Sequence, residues 1–162
     1  MAILAGLIAL QAAYKPLVNL TDSLIFGSMI TKKTEYAIRA LWELHLEPEK
    51  MKTANQVAQR QAIPPKYLPQ IVSQLNQSGL LVSLRGYGGG IKLNKPANEI
   101  NVLDIIIAIQ GHPILFECQH GASECTMENS CGLLEVYNKG LKAMLDVFRN
   151  TFLHDLKLKV RN

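Results

Sequence analysis

The chain lacks an even set of cysteines, an apolar run of membrane length, and any paired nucleophile and base. Each absence removes a class of function. Only three cysteines occur in 162 residues, none before position 118. An odd number clustered late in the chain is not a disulfide framework and fits a reducing compartment. The apolar run from Met1 to Ala13 is shorter than the roughly 20 residues a bilayer span needs. No basic residue precedes it, as a secretory signal would require. The four histidines, His45, His112, His120 and His154, are scattered. Arg85-Gly86-x-Gly88-x-Gly90 looks superficially like a nucleotide loop but joins two strands rather than a strand and a helix. Nothing points to an enzyme or to a small-molecule substrate.

What is present is a globular, modestly basic chain. Hydrophobic residues make up 48% and charged residues 19%, with a net charge of +4. That composition folds, and the length suits one domain with a moderate core and room for a dimer interface. The charge is uneven. From Thr31 to Asn98 ten Lys or Arg face four acids; from Glu99 to Asn162 there are six against eight.

Periodicity and capping signals place the elements. Thr31 to about Glu47 reads as a helix with an apolar stripe of Ala37, Ile38, Ala40, Leu41 and Leu44, and Glu35 in its first turn suits the helix dipole. Thr53 to Arg60 is a short second helix opened by a Thr53-x-x-Gln56 capping box and stopped by Ile63-Pro64-Pro65. A third helix runs from about Lys66 to Ser78. Leu68, Ile71, Val72 and Leu75 form its apolar face, Pro69 must lie in its first turn, and Gly79 ends it. Leu81–Leu84 and Ile91–Leu93 are two short strands joined by a four-glycine hairpin. Asn101 caps a helix reaching Gln110, with Gly111 and Pro113 behind it. Leu134, Tyr137, Leu141, Met144 and Phe148 then make a two-in-seven seam, as on a helix that packs against a partner helix; docking on its own domain is the competing reading. The predicted fold is mainly α with a small β-hairpin wing: a winged helix-turn-helix followed by a long C-terminal dimerisation helix.

In such a fold the second helix of the pair enters the major groove N-terminal end first. Lys66, Tyr67 and Gln70, with Gln74 further along, lie on its predicted outer face and suit contacts to phosphates and base edges. Arg85, with Gly86 and Tyr87 beside it, sits at the wing tip as a candidate for the minor groove. The plainer reading is a solvated helix face, or a winged helix used to bind protein.

Cys118, Cys125 and Cys131 fall within fourteen residues. Thiolates are soft ligands that suit iron–sulfur clusters or zinc. The wide gaps between them disfavour a structural zinc site, which commonly uses Cys-x-x-Cys pairs. A metal-free thiol sensor is the remaining alternative. A thiolate cluster joined to a DNA reader points to a regulator that senses through a metal centre.

Several motifs are more specific. Ile63-x-x-x-Tyr67-Leu68-x-Gln70-Ile71, Gly79-Leu80 and Arg85-Gly86-x-x-Gly89-Gly90-x-x-Leu93 occur in order. Thr34-Glu35-Tyr36-Ala37-Ile38-Arg39-Ala40-Leu41 precedes them and Thr151-Phe152-Leu153-His154-Asp155-Leu156 follows. Together, from Met29 to about Leu156, they resemble the IscR/NsrR-type family of iron–sulfur winged-helix regulators. The resemblance implies a dimer with crossing C-terminal helices and a cluster held by Cys118, Cys125 and Cys131. A 4Fe-4S cluster is the expected form, a 2Fe-2S cluster the alternative. Some members supply a histidine three residues after the last cysteine, where this chain has Leu134. Others supply a carboxylate just before the first helix's tyrosine, where this chain has Glu35. The resemblance therefore implies Glu35 as fourth ligand, ahead of His120 or an exogenous ligand. Glu35 and the segments Gly90–Pro96 and Glu99–Asn101 lean towards nitric oxide as the signal. The cysteine spacing varies among members, and Pro64 replaces a common serine, so operator sequence does not carry over.

The expected organisation is an extension outside the core fold (1–28), a winged helix-turn-helix (29–98), a linker helix with a cysteine loop (99–132), and a dimerisation helix with a tail (133–162). The expected function is a cytoplasmic, homodimeric repressor that binds double-stranded operator DNA under control of an iron–sulfur cluster. The alternative is a cluster-free regulator controlled by cysteine oxidation or a partner protein. No membrane partner is expected.

Overall fold

A computed structural model of the chain describes residues 30–113 and 131–158. The expected extension, residues 1–28, and Cys118, His120 and Cys125 lie outside the described residues. Helix α1 spans Lys32–His45, α2 Ala54–Gln61, α3 Leu68–Gln77, α4 Val102–Gln110 and α5 Gly132–Arg149. Strands β1, Leu81–Leu84, and β2, Gly90–Leu93, form an antiparallel hairpin with Leu81 opposite Leu93 and Leu84 opposite Gly90. The chain has the winged-helix fold, mainly α with one small hairpin.

Local chemistry explains most boundaries. Thr31 is the N-cap of α1 rather than its first residue, its hydroxyl accepting from the Thr34 amide at 3.2 Å. The helix therefore starts one residue later than expected, and it ends at His45 rather than Glu47. The Thr53–Gln56 capping box is formed. The stop of α2 is made by Ala62, which takes a left-handed conformation with φ 50°. Lys66 does not open α3. Pro65–Tyr67 form a 3-10 turn, and the α-helix begins at Leu68 with Pro69 in its first turn. There the missing proline N–H costs no hydrogen bond. Gly79, at φ 71°, follows the C-cap Ser78. Asn101 caps α4 through the Asp104 amide at 2.8 Å.

The apolar faces meet in one core. Ala37, Leu41 and Leu44 of α1 pack with Val57 of α2, Leu68, Ile71 and Leu75 of α3, and Ile105 and Ile109 of α4. Each fully buried Leu or Ile contributes about 1.5–3 kcal/mol of transfer free energy. After α5 the chain returns. Leu153 is fully buried and its amide donates to the Ile100 carbonyl at 2.8 Å. Trp42 Nε1 donates to the Leu156 carbonyl at 2.8 Å, strapping the C-terminal turn across α1. This gives the late motif from Thr151 to Leu156 a packing role.

Candidate nucleic-acid interface and cysteine-bearing helix

The α2–α3 pair and the hairpin present one face. Lys66, Gln70, Arg85, Gly86 and Tyr87 are all exposed. Lys66 Nζ lies 5.3 Å from the centre of the Tyr67 ring. That ring is half-buried and tilts at 56° against Tyr36, with centroids 5.2 Å apart. Tyr67 thus anchors the start of α3 on α1, and Lys66 stands over it. Gln74, placed on the outer face by periodicity, turns inward: its Nε2 donates to the Ile109 carbonyl at 3.3 Å. The wing tip turns tightly, with Gly86 at φ 102° and its carbonyl accepting from Gly89 at 3.0 Å.

Between α3 and the wing runs a groove of about 460 Å³ whose walls include Thr53, Pro69, Ser73, Asn76, Ser83 and Arg85. Its polar groups can meet phosphate oxygens and base edges. Ser73 and Asn76 were not singled out from sequence, although they continue the Lys66, Gln70 stripe at helical spacing.

The expected ligands among the described residues lie on separate elements, Glu35 in the first turn of α1 and Cys131 at the head of α5. Gln110 Oε1, in the last turn of α4, accepts from the Thr34 hydroxyl at 2.6 Å and the Thr31 amide at 3.1 Å. The start of α1 is thereby held where α4 ends, just ahead of the cysteine segment. Glu35 projects from that first turn, 41% exposed. It pairs with Lys32 at 2.6 Å and lies 3.8 Å from Arg39. This hydrogen-bonded pairing raises the Lys32 pKa above its ordinary value. Cys131 is half-buried and is the N-cap residue of α5, without a side-chain capping bond. Whatever its sulfur binds is joined directly to that helix. Of the expected ligands, the described residues include Glu35 and Cys131. Thiol donors with one helix-borne carboxylate are a set that suits an iron–sulfur cluster.

Helix α5 carries two apolar registers. In the expected seam Leu141 is buried and Leu134, Met144 and Phe148 are half-buried, whereas Tyr137 is exposed, and α5 packs on α4 of its own protomer. A second stripe, Leu133, Val136, Gly140, Ala143 and Val147, is exposed. Its three large residues are 61%, 62% and 63% exposed. The spacings of three and four residues are again those of a helix–helix seam.

A protein-family model described as Rrf2, iron-dependent transcriptional regulator, matches residues 30–158. The chain belongs to this family. Among curated relatives, the HTH-type transcriptional regulator NsrR of Oceanobacillus iheyensis is 34% identical over 129 residues, covering 78% of this chain and 88% of the relative. The NsrR of Bacillus subtilis is 30% identical over 129 residues, with coverages of 78% and 88%. Among solved structures, the global cysteine regulator CymR of B. subtilis superposes with a TM-score of 0.63 at 26% identity, covering 78% and 93% of the two chains. IscR of T. potens superposes at 0.60 with 26% identity, covering 80% and 88%. The Rrf2 chain is therefore a transcriptional regulator, not an enzyme. Among its described residues no helix is long and apolar enough to cross a membrane.

Proposed function

We propose that this Rrf2 regulator is a cytoplasmic homodimeric repressor whose affinity for double-stranded operator DNA is governed by an iron–sulfur cluster. Lys66 and Gln70 enter the major groove, and Arg85, with Gly86 and Tyr87, reaches the minor groove. Tyr67 takes a phosphate through its hydroxyl. Cys118, Cys125 and Cys131 hold the cluster, with Glu35 as fourth ligand. When bound, the cluster supplies iron that reacts with nitric oxide or reports iron and cluster status. The proposed units keep their expected bounds, 29–98, 99–132 and 133–162.

The observation that carries the sensing link is the position of Cys131 at the head of α5. The exposed stripe of α5 supports dimerisation through the same helix. A change at the cysteines is then felt where two protomers meet, and it alters the spacing of the two recognition helices, a two-state coupling. The similarity to NsrR proteins supports nitric oxide as signal.

The cluster-free alternative has its own support: the chain is 28% identical, with a TM-score of 0.62, to the oxidised form of Staphylococcus aureus CymR. Iron and acid-labile sulfide content of protein purified without oxygen, with a visible spectrum before and after nitric oxide, separates the two. A coloured protein that bleaches with nitric oxide, and that loses iron in Cys125→Ala, supports the cluster. Colourless, iron-free protein whose DNA affinity responds to thiol oxidation supports the alternative.

A further inference from the structure

Glu43 of α1 is fully buried and Lys52 is 3% exposed, yet the two form an ion pair at 2.8 Å. The Lys52 ammonium uses all three donors: on Glu43 Oε1, on the Glu43 main-chain carbonyl at 2.8 Å, and on Glu47 at 2.9 Å. The Glu43 carboxylate also accepts from Gln61 Nε2 at 2.9 Å and is ion-paired with Arg60 Nε at 2.9 Å, both in the last turn of α2. Burying two charges is expensive, and such a pair gains little over an apolar pair of equal volume. Stability alone is a weak reason for it. What it specifies is geometry.

The main chain of Lys52 carries the second half of the argument. It makes an antiparallel bridge to Ile91 of β2, donating to Ile91 O at 3.1 Å and accepting from Ile91 N at 2.8 Å. The contact is so close that a Cβ on Gly90 would come within 2.7 Å of the Lys52 carbonyl. Thr53, the next residue, caps α2. Lys52 thus grips α1 with its side chain, is tied to α2 through the Glu43 carboxylate, and holds the wing with its backbone. The groove between wing and α3 opens directly beside it, with Thr53 and Ile91 in its wall.

We propose that Lys52 is a positioning residue for DNA recognition, the Glu43–Lys52 pair holding the wing and its Arg85 at a set distance from the helix-turn-helix. This rests on the DNA-binding reading above. Lys52 does not touch DNA; it decides where Arg85 does.

The test is a double-mutant cycle on operator affinity. A duplex selected by the wild-type protein from a random-sequence pool is the probe. Lys52→Met weakens specific binding about tenfold, the size of a lost groove contact. In that background Arg85→Ala adds little, because Arg85 is already misplaced, while Lys66→Ala costs the same factor as in the wild type. The variant Glu43→Gln/Lys52→Met removes both charges, avoids an uncompensated buried carboxylate, and shows the same pattern while folded by circular dichroism. Folded variants with wild-type affinity overturn the proposal, as do fully additive losses with Arg85→Ala or an Arg85→Ala single variant without effect. A wild-type protein that selects no duplex fails the DNA-binding reading first, and the proposal with it.

Discussion

Thr34 and Gln110 are 76 positions apart in sequence, and the Thr34 hydroxyl donates to the Gln110 side-chain carbonyl at 2.6 Å. Thr34 is fully buried. The same oxygen accepts the Thr31 amide, so one acceptor closes the N-terminus of α1 onto the end of α4. Removing it takes this acceptor from the Thr31 amide and leaves the buried Thr34 hydroxyl to the Thr31 hydroxyl, 3.0 Å away. Gln110→Ala should lower unfolding free energy by about 1–3 kcal/mol, measured by urea denaturation. An unchanged midpoint would show that water replaces the amide at no cost.

Glu35 leaves the same turn. Under the cluster reading, Glu35→Ala changes the visible spectrum or the cluster's lifetime in air, whereas Lys32→Ala, which removes only its partner at 2.6 Å, leaves the spectrum intact. Identical spectra for wild type and Glu35→Ala would retire Glu35 as a ligand.

Arg85 stands exposed on the wing. Arg85→Ala should weaken operator binding by about 1–3 kcal/mol, read by fluorescence anisotropy at fixed salt. The loss should be greatest on duplexes with an A·T-rich minor groove. Equal affinity on all duplexes would leave Arg85 in solvent.

The outer stripe of α5 should respond to charge. Val136 is 62% exposed, and Val136→Glu should cost about 2 kcal/mol or more of dimer stability while leaving the monomer's core untouched. Sedimentation velocity across a concentration series checks it. A dimer of wild-type stability would move the interface elsewhere.

Glu47 offers a pH test. Hydrogen bonds from Lys52, then from Lys50, hold its carboxyl below the ordinary 4.5. A group with a depressed folded pKa stabilises the fold above its unfolded value, and that contribution is lost as pH falls through the folded value. The stability gap between wild type and Glu47→Gln should therefore be widest near neutral pH and close below pH 4.5. Thermal melts across that range measure it; a gap independent of pH would mean that the ion pairs contribute nothing.

The sequence by itself determined the elements, because their causes are local. The Thr53–Gln56 box, the Asn101 cap, the proline in the first turn of α3 and the apolar periods act within a few residues. The family followed from motifs spread along that frame. Only the tertiary structure decided which polar residues face inward. Glu43 lies between Trp42 and Leu44, both buried, and that setting was the one available hint of its burial. Its partners Lys52, Arg60 and Gln61 come from across a turn and from another helix, so no periodicity announces them. Gln74 looks like a reader until α4 brings the Ile109 carbonyl beside it. The same docking chose the register of α5. Both stripes have seam spacing, and only the packing of Leu141 on its own protomer left Leu133, Val136 and Val147 outside. Burial is a property of what surrounds a residue, and those surroundings come from segments distant in the chain.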